Sequence, residues 1–148
     1  MYLDSCILVK LLVPEADSAT FQAAAVGARL STSELALTEV FSTLLRKEQN
    51  GELSQKQRKA AWTALNALVA RRQLRIRPLD NVHLLKANHI LERCHPAVPL
   101  RTLDAIHTAA CDLSQDFPLC STDRRMRDAA KVLGIPVFPE GKIPDATE

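Results

Sequence analysis

Four carboxylates in separate parts of the 148-residue chain, Asp4, Glu39, Asp104 and Asp123, are the side chains whose types and placing could do chemistry. Asp4 follows the apolar run Met1-Tyr2-Leu3, and a charge at the mouth of a buried strand is costly unless something compensates it. Gathered together, such hard oxygen donors suit magnesium, with manganese as a substitute, rather than zinc. Magnesium shared between carboxylates and a phosphate fits in-line hydrolysis of a phosphodiester. The ion polarises a non-bridging oxygen, lowers the pKa of the attacking water and steadies the leaving oxygen. Each acid also has an ordinary explanation. Asp123, after Ser121-Thr122, is placed to cap a helix, and Glu39 and Asp104 near helix starts are favoured by the macrodipole.

The elements that must position these acids are short apolar strands and longer amphipathic helices. Residues 1–5 read as a buried strand. Helices are expected over Cys6–Val13, stopped by Pro14, and over Glu15–Ala28; Arg29–Thr32 fits a second strand. Leu37, Val40, Phe41, Leu44 and Leu45 recur at helical spacing, so Glu39 lies early in a helix that ends near Asn50-Gly51. Its neighbours Ala36 and Thr43 are small and leave room beside it. Ser54 suits the N-cap of a helix reaching Arg72. A strand over Leu74–Pro78 precedes a helix over Asn81–Cys94 with Val82, Leu85 and Ile90 facing inward. Pro96 and Pro99 break that helix, and Asp104 falls in the first turn of Thr102–Leu113. A strand over Pro118–Ser121, a helix over Asp123–Leu133 closed by Gly134, and a strand over Ile135–Phe138 complete the pattern.

Strands alternating with helices imply an α/β fold, a parallel sheet with helices on both faces. Ligands of such sheets bind beyond the carboxyl ends of the strands, where Asp4, Asp123 and Asp104 fall. One domain is expected over 1–138, with 139–148 as a flexible tail. A net charge of +2 excludes a strongly basic arm, though not a local basic patch, and 4% aromatics argue against a base-stacking platform. Cys6, Cys94, Cys111 and Cys120 form no C-x-x-C pair and read as buried reduced thiols. No apolar run is long enough for a bilayer, and a soluble cytoplasmic protein without membrane contact is expected.

Four stretches carry a family resemblance. Tyr2-Leu3-Asp4-Ser5-Cys6-Ile7 resembles the opening of PIN-domain proteins, particularly the VapC-type toxins of bacterial toxin–antitoxin pairs. Leu100-Arg101-Thr102-Leu103-Asp104-Ala105-Ile106-His107 is the most specific match, and Cys120-Ser121-Thr122-Asp123-Arg124-Arg125-Met126 is another. Leu37-Thr38-Glu39-Val40 is similar to the family's acid-bearing helix. The resemblance implies a three-layer α/β/α fold with strand order 3-2-1-4-5, and a magnesium-dependent endoribonuclease restrained by a cognate antitoxin. It also implies a homodimer and a toxin–antitoxin hetero-oligomer. Asp4, Glu39, Asp104 and Asp123 would hold the metal. Ser5 and Thr122 would support them, and Arg101 would orient Asp104 or contact phosphate. Cys6 departs from the usual serine and supplies a weaker hydrogen bond.

Other readings differ in recognisable ways. An Asp-based phosphatase would show D-x-D where this chain has Asp4-Ser5-Cys6, and a receiver domain would show a paired acid. A catalytically silent PIN-like binding module is disfavoured by the presence of all four acids. His107 reads as a packing residue or a supporting donor. Arg71, Arg72, Arg75 and Arg77 read as a solvated face, with RNA-backbone contact as the alternative. Arg124, Arg125 and Arg127 lie nearer the acids.

Overall fold

The computed structural model describes residues 1–141. Its chain order is β1 (Tyr2–Leu3), α1 (Ser5–Leu12), α2 (Ser18–Ala25), β2 (Leu30–Ser33), α3 (Glu34–Gln49), α4 (Gln55–Ala70), β3 (Leu74–Arg77), α5 (Asn81–Cys94), α6 (Thr102–Ser114), β4 (Leu119–Cys120), α7 (Arg124–Leu133) and β5 (Val137–Phe138). The strands form one parallel sheet in the order β3-β2-β1-β4-β5. The chain winds outward from β1 through β2 to β3, then returns to the other side of β1 with β4. Such a reversal opens a crevice at the carboxyl ends of the two strands it separates.

Side chains alternate across a strand, and here the alternation divides the core in two. Leu3 and Cys120 face Ile7, Leu8, Phe21, Val40, Leu44 and Leu65, which come from α1 to α4. Tyr2 and Leu119 face Ala110, Cys111, Met126 and Ala130, from α6 and α7. Small residues at Ala87, Ala105, Ala109 and Ala129 let α5, α6 and α7 approach one another closely. The result is the expected three layers.

Several elements are shorter than expected. β1, β4 and β5 have two residues each, although the ladder continues one step beyond β1 through Asp4 N–H to the Cys120 carbonyl at 3.0 Å. α2 starts at Ser18 rather than Glu15. The buried Ser18 hydroxyl accepts from Glu15 N–H (2.9 Å) and donates to the Lys10 carbonyl (2.6 Å), fixing a turn where a helix would otherwise run. Gly27, at φ +72°, ends the same element early. Ser54 and Asp80 both cap as reciprocal boxes with the residues three positions on.

One expected core face is wrong. Val82 and Leu85 are 57% and 60% exposed, while Ile90 is buried. The inward stripe of α5 is Ala87, Ile90 and Cys94. At 100° per residue Val82 and Leu85 fall on the other side of the helix from it. Within the tail expected at 139–148, the carbonyls of Pro139 (2.7 Å) and Gly141 (2.8 Å) accept from Arg127. Residues 142–148 lie outside the described residues.

Candidate metal-binding active site

The carboxyl end of β1 delivers Asp4, and the chain then enters α1. Asp4 stands at the N-cap position of α1, yet its carboxylate makes no capping bond. Instead it is 4% exposed and accepts from three side chains: Ser121 Oγ at 2.8 Å, Cys6 Sγ at 3.0 Å and Ser5 Oγ at 3.2 Å. Those donors compensate a buried charge that would otherwise be prohibitive. Ser121 also accepts from Asp123 N–H at 3.0 Å, so one hydroxyl ties the ends of β1 and β4 together.

Glu39 reaches the same place from the second turn of α3. His107 Nε2 lies 2.5 Å from its Oε2, and His107 Nδ1 lies 2.8 Å from the Tyr2 hydroxyl. Burial raises the Glu39 carboxyl, but the hydrogen bond and charge of His107 outweigh it and hold the group below its ordinary value. For His107, burial favours the neutral ring, yet Glu39, Asp4 and Asp104 together hold its pKa above the ordinary imidazole value. Donor atoms of Asp4, Glu39 and His107 lie within 4.8 Å of one another. With Tyr2 on Nδ1, the Nε2 proton is given to Glu39, which makes His107 a donor to a ligand rather than a ligand.

Asp104 is the third residue of α6, where its carboxylate accepts from Arg101 N–H at 3.3 Å. Asp123 is the N-cap of α7 and accepts from Met126 N–H at 3.0 Å. Capping uses Oδ2 of Asp104 and Oδ1 of Asp123, and both residues line the cavity. Burial, then the negative charge of Asp123, pushes the Asp104 carboxyl above its ordinary value. Arg125 lies between the two acids, 3.8 Å from Asp104 and 3.6 Å from Asp123, and its buried Nε has no hydrogen-bond partner. These are loose ion pairs rather than a closed network.

All four acids, with Ser5, Arg101 and Thr122, line one cavity of about 610 Å³. Thr122 does not reach a carboxylate; its hydroxyl lies 3.4 Å from Cys6 Sγ and acts on Asp4 through that thiol. Arg101 orients Asp104 through its backbone, leaving the exposed guanidinium at the cavity mouth. The three arginines that follow Asp123 divide sharply. Arg124 is exposed, Arg125 enters the site, and Arg127 is buried against backbone carbonyls. Ser121 and Tyr2 are functional contacts the sequence reading missed. Ser121 had a signal, a hydroxyl two residues before Asp123, but alternation along the strand was needed to aim it at Asp4.

A family model described as PIN domain matches residues 1–132. The chain belongs to the PIN-domain family. Over 145 residues it is 37% identical to Ribonuclease VapC46 of Mycobacterium tuberculosis, a match that covers 93% of this chain and 95% of that protein. Among solved structures it is similar to VapC20 of the same organism, a sarcin-ricin loop cleaving toxin. The TM-score is 0.66 at 18% identity, covering 86% of this chain and 93% of that one. VapBC2 from Rickettsia felis, bound to a fragment of promoter DNA, aligns with a TM-score of 0.64 at 10% identity, over 92% and 95% of the two chains. The last two likenesses bear on the fold alone.

Proposed function

We propose that this chain is the toxin of a toxin–antitoxin pair, an endoribonuclease that hydrolyses RNA phosphodiesters with a divalent cation, magnesium or its substitute manganese, at Asp4, Glu39, Asp104 and Asp123. The observation that carries this reading is the convergence of four acids from four elements on one cavity at the carboxyl end of the sheet. The donor set fits a hard divalent cation. It is built of carboxylate oxygens, and Asp104 is raised by burial and then by the charge of Asp123, a repulsion that the loose contacts of Arg125 only partly offset and that a cation would relieve. When bound, that cation would activate water and stabilise charge developing on a phosphate.

The protein's own part is positioning. Ser121, Ser5 and Cys6 fix both oxygens of Asp4. His107 fixes Glu39, with its ring orientation set by Tyr2. Arg101 and Arg46 line the cavity mouth with exposed guanidinium groups suited to the phosphates flanking a scissile bond. The charges of Lys10 and Lys47 are instead tied to Glu15, at 2.9 and 3.1 Å.

The nuclease domain spans 1–138 on this reading, and a curated relative named a ribonuclease along nearly its whole length supports RNA as substrate. Likeness to chains from toxin–antitoxin complexes supports a cognate antitoxin as partner, and the homodimer on which such a hetero-oligomer would be built rests on the family resemblance alone. No helix among the described residues is long and apolar enough to cross a membrane, which accords with action in the cytoplasm. The test is cleavage of total RNA with and without magnesium by wild type, Asp4→Asn and Asp104→Asn, each checked for folding. Cleavage confined to the wild type with magnesium is expected. Magnesium-dependent cleavage that survives both substitutions sinks the assignment.

A further inference from the structure

A second cavity, about 730 Å³, lies at the opposite end of the sheet. Its walls include the first residues of β2, Leu30 and Ser31, and the start of β3 at Arg75, so it opens at the amino ends of strands whose carboxyl ends face the acids. Arg29, Arg72 and Arg75 line it. All three are exposed, and none makes an ion pair or side-chain hydrogen bond among the described residues. Arg72 holds φ +58° directly after the cap of α4, a position and conformation that favour glycine.

Two further groups give the cleft a mixed polarity. Ser31 is 3% exposed, and its hydroxyl faces the Asp116 carboxylate; burial raises that carboxyl, but Ser31 and Arg77 together hold it below its ordinary value. Asp116 also lines the cleft, and its contacts with Arg77, at 2.6 and 2.8 Å, both go to Oδ2. Guanidinium groups engage phosphate with two parallel bonds. A ribose 2′-hydroxyl both donates and accepts, which matches a carboxylate beside a serine hydroxyl. An acidic peptide would bring side-chain acceptors against Asp116 and gain nothing there.

We propose that this cleft is a second RNA-binding site, in which Arg29, Arg72 and Arg75 hold the phosphate backbone of a strand whose scissile bond lies in the four-acid cavity. The proposal rests on the nuclease reading for its substrate class. A four-residue strand spans about 13 Å, and the sheet separates the two sites. An RNA that fills both must pass around the sheet, so short oligonucleotides reach only one. The cleft therefore favours long or structured RNA without reading bases, since no aromatic side chain lines it.

The experiment compares wild type with the triple variant Arg29→Ala, Arg72→Gly, Arg75→Ala. Glycine at position 72 suits the left-handed backbone, and melting curves check the fold. Binding of a fluorescein-labelled 20-nucleotide single-stranded RNA is read by anisotropy in EDTA, where no metal-dependent cleavage intervenes. Wild type should bind at least about tenfold more tightly at 0.1 M salt, and the variant's log–log salt slope should be smaller by about 2. Cleavage of a tetranucleotide with magnesium should differ less than twofold. DNA of the same sequence should bind wild type more weakly than RNA. Unchanged RNA affinity and slope, equal binding of DNA, or displacement of the RNA by poly-glutamate of matched charge overturns the proposal. If the RNA binds as expected but wild type cleaves nothing, the nuclease reading fails and the binding site stands.

Discussion

His107 Nε2 lies 2.5 Å from Glu39 Oε2, and this contact joins α6 to α3 across the open end of the sheet. Because His107 is 1% exposed and also meets the Tyr2 hydroxyl, its removal leaves buried partners unsatisfied. His107→Phe should cost about 2–4 kcal/mol. His107→Gln can replace one of the two contacts and should cost less. Urea denaturation of both variants measures the difference, and equal costs would show that the ring acts only by filling space.

The same pair predicts a pH window. The His107 value is raised by its carboxylates, so its contribution is fully present below the ordinary value of 6.5 and is lost as pH rises through the folded value. The Glu39 value is lowered, so its contribution is present above 4.5 and is lost as pH falls through its folded value. Their coupling is therefore greatest between these two ordinary values. Metal-free denaturation curves from pH 4 to 9 should show wild type losing its advantage over His107→Phe toward both ends.

Asp123 offers a separation of roles. Asn caps a helix about as well as Asp, so Asp123→Asn keeps the start of α7 while removing the charge that raises Asp104. A carboxyl raised in the folded state destabilises it as pH rises through the folded value. Both acids are partly solvated, so the gain is below about 1 kcal/mol. Metal-free Asp123→Asn should melt slightly higher than wild type at pH 8. Wild type should gain about 1.4 kcal/mol from magnesium at ten times its dissociation constant, and the variant should gain less. A wild-type melting point indifferent to millimolar magnesium would falsify the four-acid site.

The thiols should be inert in the native state. Burial, then the charge of Asp4, pushes Cys6 far above the ordinary thiol value, and burial pushes Cys111 and Cys120 up to about 12. Iodoacetamide at pH 8 needs thiolate. Wild type should label slowly when folded and at Cys6, Cys94, Cys111 and Cys120 in denaturant. Cys6→Ser preserves a donor to Asp4 and should cleave RNA within a few-fold of wild type, whereas Cys6→Ala should lose more.

What the sequence made legible follows from how local each signal is. Asp4, Asp104 and Asp123 stand where an apolar run ends or a helix begins, so spacing marked them as candidates with ordinary capping explanations beside them, the family resemblance joined them with Glu39 into one proposed site, and the alternation of strands and helices announced a parallel sheet. Family resemblance, rather than spacing, supplied the strand order. Ser121 and Tyr2 were invisible as site residues because their roles depend on which sheet face they leave by, and strands of two residues carry no readable alternation. The same limit placed Val82 and Leu85 inside. Apolar identity suggested burial, while the phase of α5 is set by its packing on α6 through Ala87, Ile90 and Cys94.

Arg127 provides the last prediction, because it looks like a site residue in sequence and is not one in space. It is 4% exposed, and it donates to the carbonyls of Ser121 (3.1 Å), Pro139 (2.7 Å) and Gly141 (2.8 Å). It therefore clamps the segment after β5 to the strand end that carries Ser121, and Ser121 in turn holds Asp4. Arg127→Ala leaves three carbonyls without this donor and should cost about 2–4 kcal/mol. Lysine keeps the charge but cannot span three acceptors with a planar fork, so Arg127→Lys should recover less than half of that loss. Arg124→Ala, at an 84% exposed side chain, should change stability by less than about 0.5 kcal/mol. Hydrogen exchange at the amides of Ser121 and Asp123 reads the coupling directly. Faster exchange there in Arg127→Ala, with wild-type rates in α3, is the expected pattern, and uniform acceleration across the chain would show that Arg127 supports the fold without particular bearing on the site.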